Sequence, residues 1–163
     1  MVRLPHNVYI RGEVLSMEIR QARVDEVMEV APLALMLWPE HSMHAIALEI
    51  YETTSANKGA YFLSFDGEST IAFAQVSLRT DYVEGTTSSP IGYLEGIFVL
   101  EGYRQQGIGR ELLTACEDWA RQQGCEEFAS DCELTNEESL NFHRRLGFEE
   151  ANRIICFRKS LVK

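Results

Sequence analysis

Between Tyr93 and Gln123 the spacing of apolar positions changes period. Ile97, Phe98, Val99 and Leu100 form an unbroken apolar run, the pattern of a strand covered on both faces. Gly107 and Gly109 then interrupt the chain. From Ile108 the apolar residues fall at Leu112, Leu113, Cys116, Trp119 and Ala120, one face of a helix. Gly124 is suited to end that helix. The stretch therefore predicts a buried strand, a glycine loop and an amphipathic helix.

The same reading extends along the chain. Met17 to Ala22 predicts a first strand. Residues 1–16 carry Arg3 and Arg11 but no apolar run, and read as an extension ahead of one domain at 17–163, not as a signal peptide. Val24 to Leu37 is spaced as a helix, which Pro32 is expected to kink or to divide. Ser42 to Tyr51 is a second helix. Ala60 to Phe65 and Thr70 to Leu78 are strands of a hairpin turning at Asp66–Ser69. Arg79 to Pro90 is a long polar loop, a length that is often functional. Glu127 to Cys132 is a further strand. Asn136 then caps a helix through Leu146 that stops at Gly147, and Phe148 to Leu161 supplies one or two closing strands. This order predicts an α/β (α+β) domain, a mixed central β-sheet flanked by helices.

Composition narrows the function. The 163 residues suit one domain, and 45% hydrophobic residues suffice for a core. The net charge of −10 argues against nucleic acid, which calls for a basic footprint, and is compatible with a cationic substrate. No apolar run approaches the roughly 20 residues of a membrane span. Four cysteines without a C-x-x-C pair read as free thiols in a reducing cytoplasm. The four scattered histidines give no metal site.

The glycine loop carries the first candidate chemistry. A strand feeding a glycine-rich loop at a helix N-terminus offers unpaired N–H groups and the positive end of the helix dipole to an anion. Arg104 and Arg110 add full charges. Glu95 carries the second, as an acid inside the apolar run YLEGIFV. A carboxylate there must face a polar cleft or have partners. Strand alternation puts it on the face of Ile97 and Val99. Three roles are open to it: general base, directly or through water; anchor for a substrate ammonium; or ion-pair partner of a neighbouring arginine. Gly96 beside it is consistent with close backbone approach or a bulge. Asp131 ends the next strand at a mouth position, where it can bind ammonium groups, relay a proton or simply shape a turn. Asn136 and His143, seven apart, share a helix face.

Arg104-Gln105-Gln106-Gly107-Ile108-Gly109 fits the R/Q-x-x-G-x-G/A motif, and the chain from Met17 to Leu161 resembles the GNAT superfamily of acetyl-CoA-dependent N-acetyltransferases. Within it, LWPEH at 37–41, RTDYVEG at 79–85, SSPIGYLEGIFV at 88–99, ASD at 129–131, HRRLGFEE at 143–150 and RIICFRK at 153–159 are similar to the small dimeric bacterial aminoglycoside 6'-N-acetyltransferases. The resemblance implies a GNAT fold splayed at the acetyl-CoA strand. It implies acetyl transfer from acetyl-CoA, without a metal, to the 6'-amine of an aminoglycoside, and hence antibiotic resistance. Ile97, Phe98 and Val99 match the strand whose backbone binds the pantetheine arm. Gln105, Gln106, Gly107, Ile108, Gly109 and Arg110 match the pyrophosphate loop, and Asn136 matches an acetyl-CoA contact. Trp38, Tyr82, Glu95 and Asp131 match positions lining the antibiotic site. Asn152 stands where such relatives can carry an acid, which leaves the preferred drug open. His143 stands where many members have a tyrosine that protonates the departing thiolate, a proton a histidine can also give. A cytoplasmic homodimer, with its C-terminal strands exchanged or packed across subunits, is also implied. Two other readings remain: a GNAT enzyme for another small amine or a peptide N-terminus, and a non-catalytic acyl-CoA-binding module.

Overall fold

The computed structural model describes residues 6–10 and 13–162. Strands β1 (His6–Ile10) and β2 (Glu13–Gln21) come first. A short 3-10 turn at Val24–Glu26 leads into helix α1 (Val27–Leu37), followed by α2 (Met43–Ser55). Strands β3 (Gly59–Asp66), β4 (Ser69–Arg79) and β5 (Ile91–Val99) follow. Helix α3 (Ile108–Gln122), β6 (Phe128–Ser130) and α4 (Glu137–Arg145) complete the order. The strands lie side by side in chain order, antiparallel except for the parallel pair β5–β6. This is the expected mixed sheet with helices on both faces.

Each face has its own core. Helix α3 buries Ile108, Leu112, Leu113, Cys116, Trp119 and Ala120, none more than 5% exposed, against one face. These are the six positions its periodicity selects. On the other face α1 and α2 pack Val30, Ala31, Leu33, Ala34, Ile46 and Ile50 against Tyr61, Leu63 and Phe73. At about 25 cal/mol per Å² of apolar surface removed from water, these two layers dominate folding.

Three expectations change. Helix α1 runs through Pro32 without division. Pro32 and Met28, whose carbonyl loses its i+4 donor, both face solvent, where water can satisfy that carbonyl. Strand β2 begins at Glu13, four residues before Met17, because its backbone pairs with β1. The closing strands expected in Phe148 to Leu161 do not form: residues 149–162 hold no helix or strand and are exposed. A strand exists through the ladder it joins, and the hydrogen bonds of Asn152, Arg153 and Ser160 are to side chains or to residues close in the chain.

Candidate active site

Strand β5 divides at Glu95. Its first half, Gly92 to Leu94, pairs with β4 on one edge and with Phe128–Ser130 of β6 on the other. Ile91 to Leu94 are buried, whereas Glu95 to Leu100 are half-buried. Beyond Leu94 only β4 accompanies the strand, so the sheet splays there, as expected. Leu100 donates its N–H to Ile71 of β4. Antiparallel alternation then turns the N–H groups of Ile97 and Val99 towards the open edge. The Val99 carbonyl receives Arg104 Nε at 3.0 Å.

A β-bulge sits at the branch point. Gln75 opposes Gly96 while Val76 opposes Leu94, so Glu95 is the extra residue. This overturns the expected facing of Glu95. Ile97 and Val99 pack on the α3 core. Glu95 instead turns to the α1–α2 face, where its carboxylate accepts Ser77 Oγ at 2.5 Å and Arg79 at 2.7 and 3.1 Å. Gly96 is required beside it: a Cβ there would lie 2.5 Å from Trp38 Cζ2. The bulge and the glycine together let the Trp38 indole lie against the strand next to the acid.

That face is the floor of a cleft of about 480 Å³, lined by Trp38, His41, Glu49, Gln75, Ser77 and Glu95 among others. Glu49 comes to the same cleft from α2. Gln75 is buried and turns its Nε2 towards Glu49 at 3.5 Å. Burial, then the charge of Glu49 and, less, of Glu95, push the Tyr61 hydroxyl well above the ordinary phenol range. The cleft thus presents two carboxylates beside an aromatic plane.

Asp131 joins from the side. The Arg79 guanidinium stacks on the Tyr93 ring at 3.3 Å, is held by Glu95, and feels the charge of Asp131. The Tyr93 hydroxyl is pushed up to about 12, by burial first and then by Asp131, with Arg79 opposing. Arg79 therefore pairs directly with Glu95 and interacts with Asp131 only through its charge. Sequence reasoning allowed Glu95 an arginine partner without naming it. Only the register of Arg79 opposite Ile91 identifies which one. Ser77 and Glu49 were missed as well, and nothing in their local sequence marks them.

Tyr82 and Asn152 stand apart from the cleft. Tyr82 is 80% exposed and bonds to Glu84, which also accepts Asn152 Nδ2. Their loop is fastened at its other end by Glu127, whose carboxylate accepts the N–H groups of Thr87 and Ser88 at 2.9 and 2.7 Å and Ser88 Oγ at 2.6 Å.

On the splayed side, α3 starts at Gly107, a left-handed residue with φ of 86° and no side-chain cap. The first-turn N–H groups of a 15-residue helix are thus left for an anion. Gln105 is also left-handed, at φ 61°. Gly109 has a packing reason: a Cβ there would meet Phe142 of α4 at 2.9 Å. Gln106 folds back onto the Gly102 carbonyl at 3.1 Å, and the Ile108 side chain is core. Of these two only the backbone remains for a ligand, while the Gln105 and Arg110 side chains are exposed. Asn136 caps α4, accepting the Ser139 N–H at 3.0 Å, which leaves its Nδ2 for other contacts. His143 lies under the splay, its Nε2 2.9 Å from Ser130 Oγ and its Nδ1 2.7 Å from the Ser139 carbonyl. Among the described residues, no three His, Cys, Asp or Glu side chains gather as a metal site, and no helix is long and apolar enough to cross a membrane.

This geometry has close counterparts. Residues 24–148 match the acetyltransferase (GNAT) family. Aminoglycoside N(6')-acetyltransferase type 1 of Stenotrophomonas maltophilia is 42% identical over 88% of this chain and 93% of its own. The protein of that name from Salmonella enteritidis is 40% identical over 88% and 99%. Among solved structures, aminoglycoside N-acetyltransferase AAC(6')-Iy in complex with CoA superposes with a TM-score of 0.87, at 38% identity, covering 92% of this chain and 99% of the other. AAC(6')-Ih from Acinetobacter baumannii gives 0.83 at 36% identity, over 90% and 99%. A splayed strand, a glycine loop at a helix start and a match over most of the fold lead to one assignment: the chain belongs to the acetyltransferase (GNAT) family.

Proposed function

We propose that the protein transfers the acetyl group of acetyl-CoA to the 6'-amino group of aminoglycoside antibiotics and so confers resistance to them. The observation that carries this reading is the bulge at Glu95. It joins an open strand edge on one side of the sheet to an acid-lined cleft on the other. The relatives of about 40% identity bear the name of that activity, and AAC(6')-Iy is solved with CoA and with a CoA-aminoglycoside bisubstrate analogue.

In this reading the outward N–H groups of Ile97 and Val99 pair with the pantetheine amides, and one of them donates to the oxyanion. Phe98 packs the same strand to the opposite core. The backbone of Gln105, Gln106, Gly107, Ile108 and Gly109, with Arg110, holds the pyrophosphate, and Asn136 Nδ2 adds a contact. Trp38 offers its face to a sugar ring, while Glu95, Asp131 and Glu49 anchor ammonium groups. With Arg79 and Ser77 already on its oxygens, Glu95 takes the amine's proton through water. His143 is the source of the proton for the departing thiolate. Tyr82 and Asn152 serve as outer contacts for the drug. Positioning of amine and thioester supplies much of the rate.

The enzyme is proposed to work as a cytoplasmic homodimer. Ile154, Ile155, Phe157, Leu161 and Val162, 66–91% exposed, form the tail that a second copy covers by strand pairing. The single acetyltransferase domain takes in the sheet from β1 onwards, because β2 runs Glu13–Gln21 across the expected boundary at residue 17. Thiol release from acetyl-CoA is expected with an aminoglycoside bearing a 6'-amine and not with its 6'-hydroxyl counterpart. Activity on both would place the transfer at another amine. Silence on both, with spermidine or a peptide turned over instead, would replace the substrate. A chain ending at Glu150 is expected to sediment as a monomer while the full chain sediments as a dimer.

A further inference from the structure

The imidazole of His143 is part-buried and its nitrogens already have partners. Its ring is packed edge-on by Phe142 and Phe148, with centroids 5.7 and 5.0 Å away. A carbonyl can only accept, so the 2.7 Å contact between Nδ1 and Ser139 O places a proton on Nδ1. The other nitrogen, Nε2, meets Ser130 Oγ at 2.9 Å, and the same Oγ lies 3.1 Å from Leu94 O. A serine hydroxyl has one proton to give. With neutral His143, that proton can serve Nε2 or Leu94 O, not both. With the imidazolium the three shortest contacts are made at once: Nδ1–H to Ser139 O, Nε2–H to Ser130 Oγ, and Oγ–H to Leu94 O, with Asp131 O a longer 3.5 Å from the same Oγ.

We propose that Ser130 is the group that delivers the proton to the departing thiolate, recharged by His143 behind it. The place fits. Ser130 is the last residue of β6 and pairs with Leu94, the residue before the bulge, so its hydroxyl sits in the fork where the two strands part. In this proposal the sulfur of an acyl group held by the outward N–H groups of β5 lies at that fork. As the C–S bond breaks, Oγ–H turns from Leu94 O to the sulfur and an S–H bond forms. Nε2–H passes to Oγ, and His143 is left neutral with Nδ1–H still on Ser139 O. The amine's surplus proton leaves on the cleft side through water at Glu95, and solvent restores the imidazolium. The inference rests on the acetyl-transfer reading, but the hydrogen-bond chain beneath it does not.

The test compares wild type with Ser130→Ala and Ser130→Thr. Ser130→Ala is expected to lower kcat roughly tenfold to a hundredfold, with KM for acetyl-CoA and amine changed by no more than about twofold. Ser130→Thr, which keeps the hydroxyl, is expected to regain most of kcat. In ¹⁵N spectra of the protein without ligands, the His143 Nε2 signal is expected to shift in the alanine variant and return in the threonine one. CoA affinity by calorimetry should be the same in all three. A kcat for the alanine variant within about twofold of wild type overturns the proposal. So does an unmoved Nε2 signal, or a threonine variant as slow as alanine at equal thermal stability. If wild type acetylates no amine, the substrate reading fails separately. Slow hydrolysis of acetyl-CoA, which expels the same thiolate, then reports on Ser130 in its place: slowing by alanine supports the proposal, and unchanged hydrolysis ends it.

Discussion

The two halves of β5 differ in only one respect of backbone pairing, yet they do different work. Gly92 to Leu94 have strands on both edges and are buried. Glu95 to Val99 have β4 alone and are half-buried. In the first half every direction is filled: Gly92 packs against Ala120 and Phe128. In the second, one edge is open, and the bulge turns a carboxylate out of the expected core face into a cleft. Site and scaffold are separated by one irregularity in a ladder, not by a loop or a domain boundary.

The largest test of that division is Glu95→Gln. The substitution keeps shape and removes charge. Activity is expected to fall by roughly 10²- to 10⁴-fold. Glu95 and Arg79 are 25% and 41% exposed, and an ion pair of that kind contributes about 1 kcal/mol or less. Thermal unfolding should therefore hardly move. A large loss of stability with modest loss of rate would make Glu95 part of the scaffold.

Two glycines then compare the halves directly. A Cβ on Gly92 would sit 2.5 Å from Ala120 Cβ, deep in the α3 core, whereas one on Gly96 would sit 2.5 Å from the Trp38 ring. Gly92→Ala is expected to cost about 2 kcal/mol of stability by overpacking, while the folded fraction keeps its turnover. Gly96→Ala pushes the half-exposed indole aside. It is expected to lower kcat/KM by roughly tenfold to a hundredfold, since misplacement of about 1 Å can cost that much, with a smaller stability change. Denaturant melts beside initial rates read both. The opposite pairing of effects would erase the distinction.

How much of this was legible follows the same line. The α3 face, the Asn136 cap and the glycine stops at Gly124 and Gly147, both with positive φ, were readable because each depends on residues close in the chain. The glycine loop, Glu95 and Asp131 were candidates from the chain pattern, and Trp38 through resemblance. The facing of Glu95 was not, since a bulge shifts parity by one and depends on how two strands register over distance. Arg79, Ser77, Glu49 and Ser130 have ordinary local contexts and become functional candidates only by where the sheet places them. The tail at 149–162 carries a strand-like sequence but joins no ladder of the described sheet.

Tyr93 marks the boundary itself and gives the smallest expected effect. It pairs with Ala129 on the closed side, yet its ring carries Arg79, which holds Glu95. Burial first, then Asp131, push its hydroxyl from 10.0 up to about 12. A group whose folded value is raised contributes stability fully present below the unfolded value and lost as pH rises through the folded one. The neutral phenol therefore supports the fold below pH 10, and that support disappears by about pH 12. Tyr93→Phe has no such proton to lose. Between those two pH values it is expected to lose about 1 kcal/mol less stability than wild type in denaturant titrations. Tyr61 titrates alike in both proteins, so the difference isolates Tyr93. Turnover should fall only about threefold, because the aromatic face under Arg79 remains. If the variant were instead as inactive as Glu95→Gln, the working half of β5 would begin two residues earlier, inside the part of the strand that has neighbours on both edges.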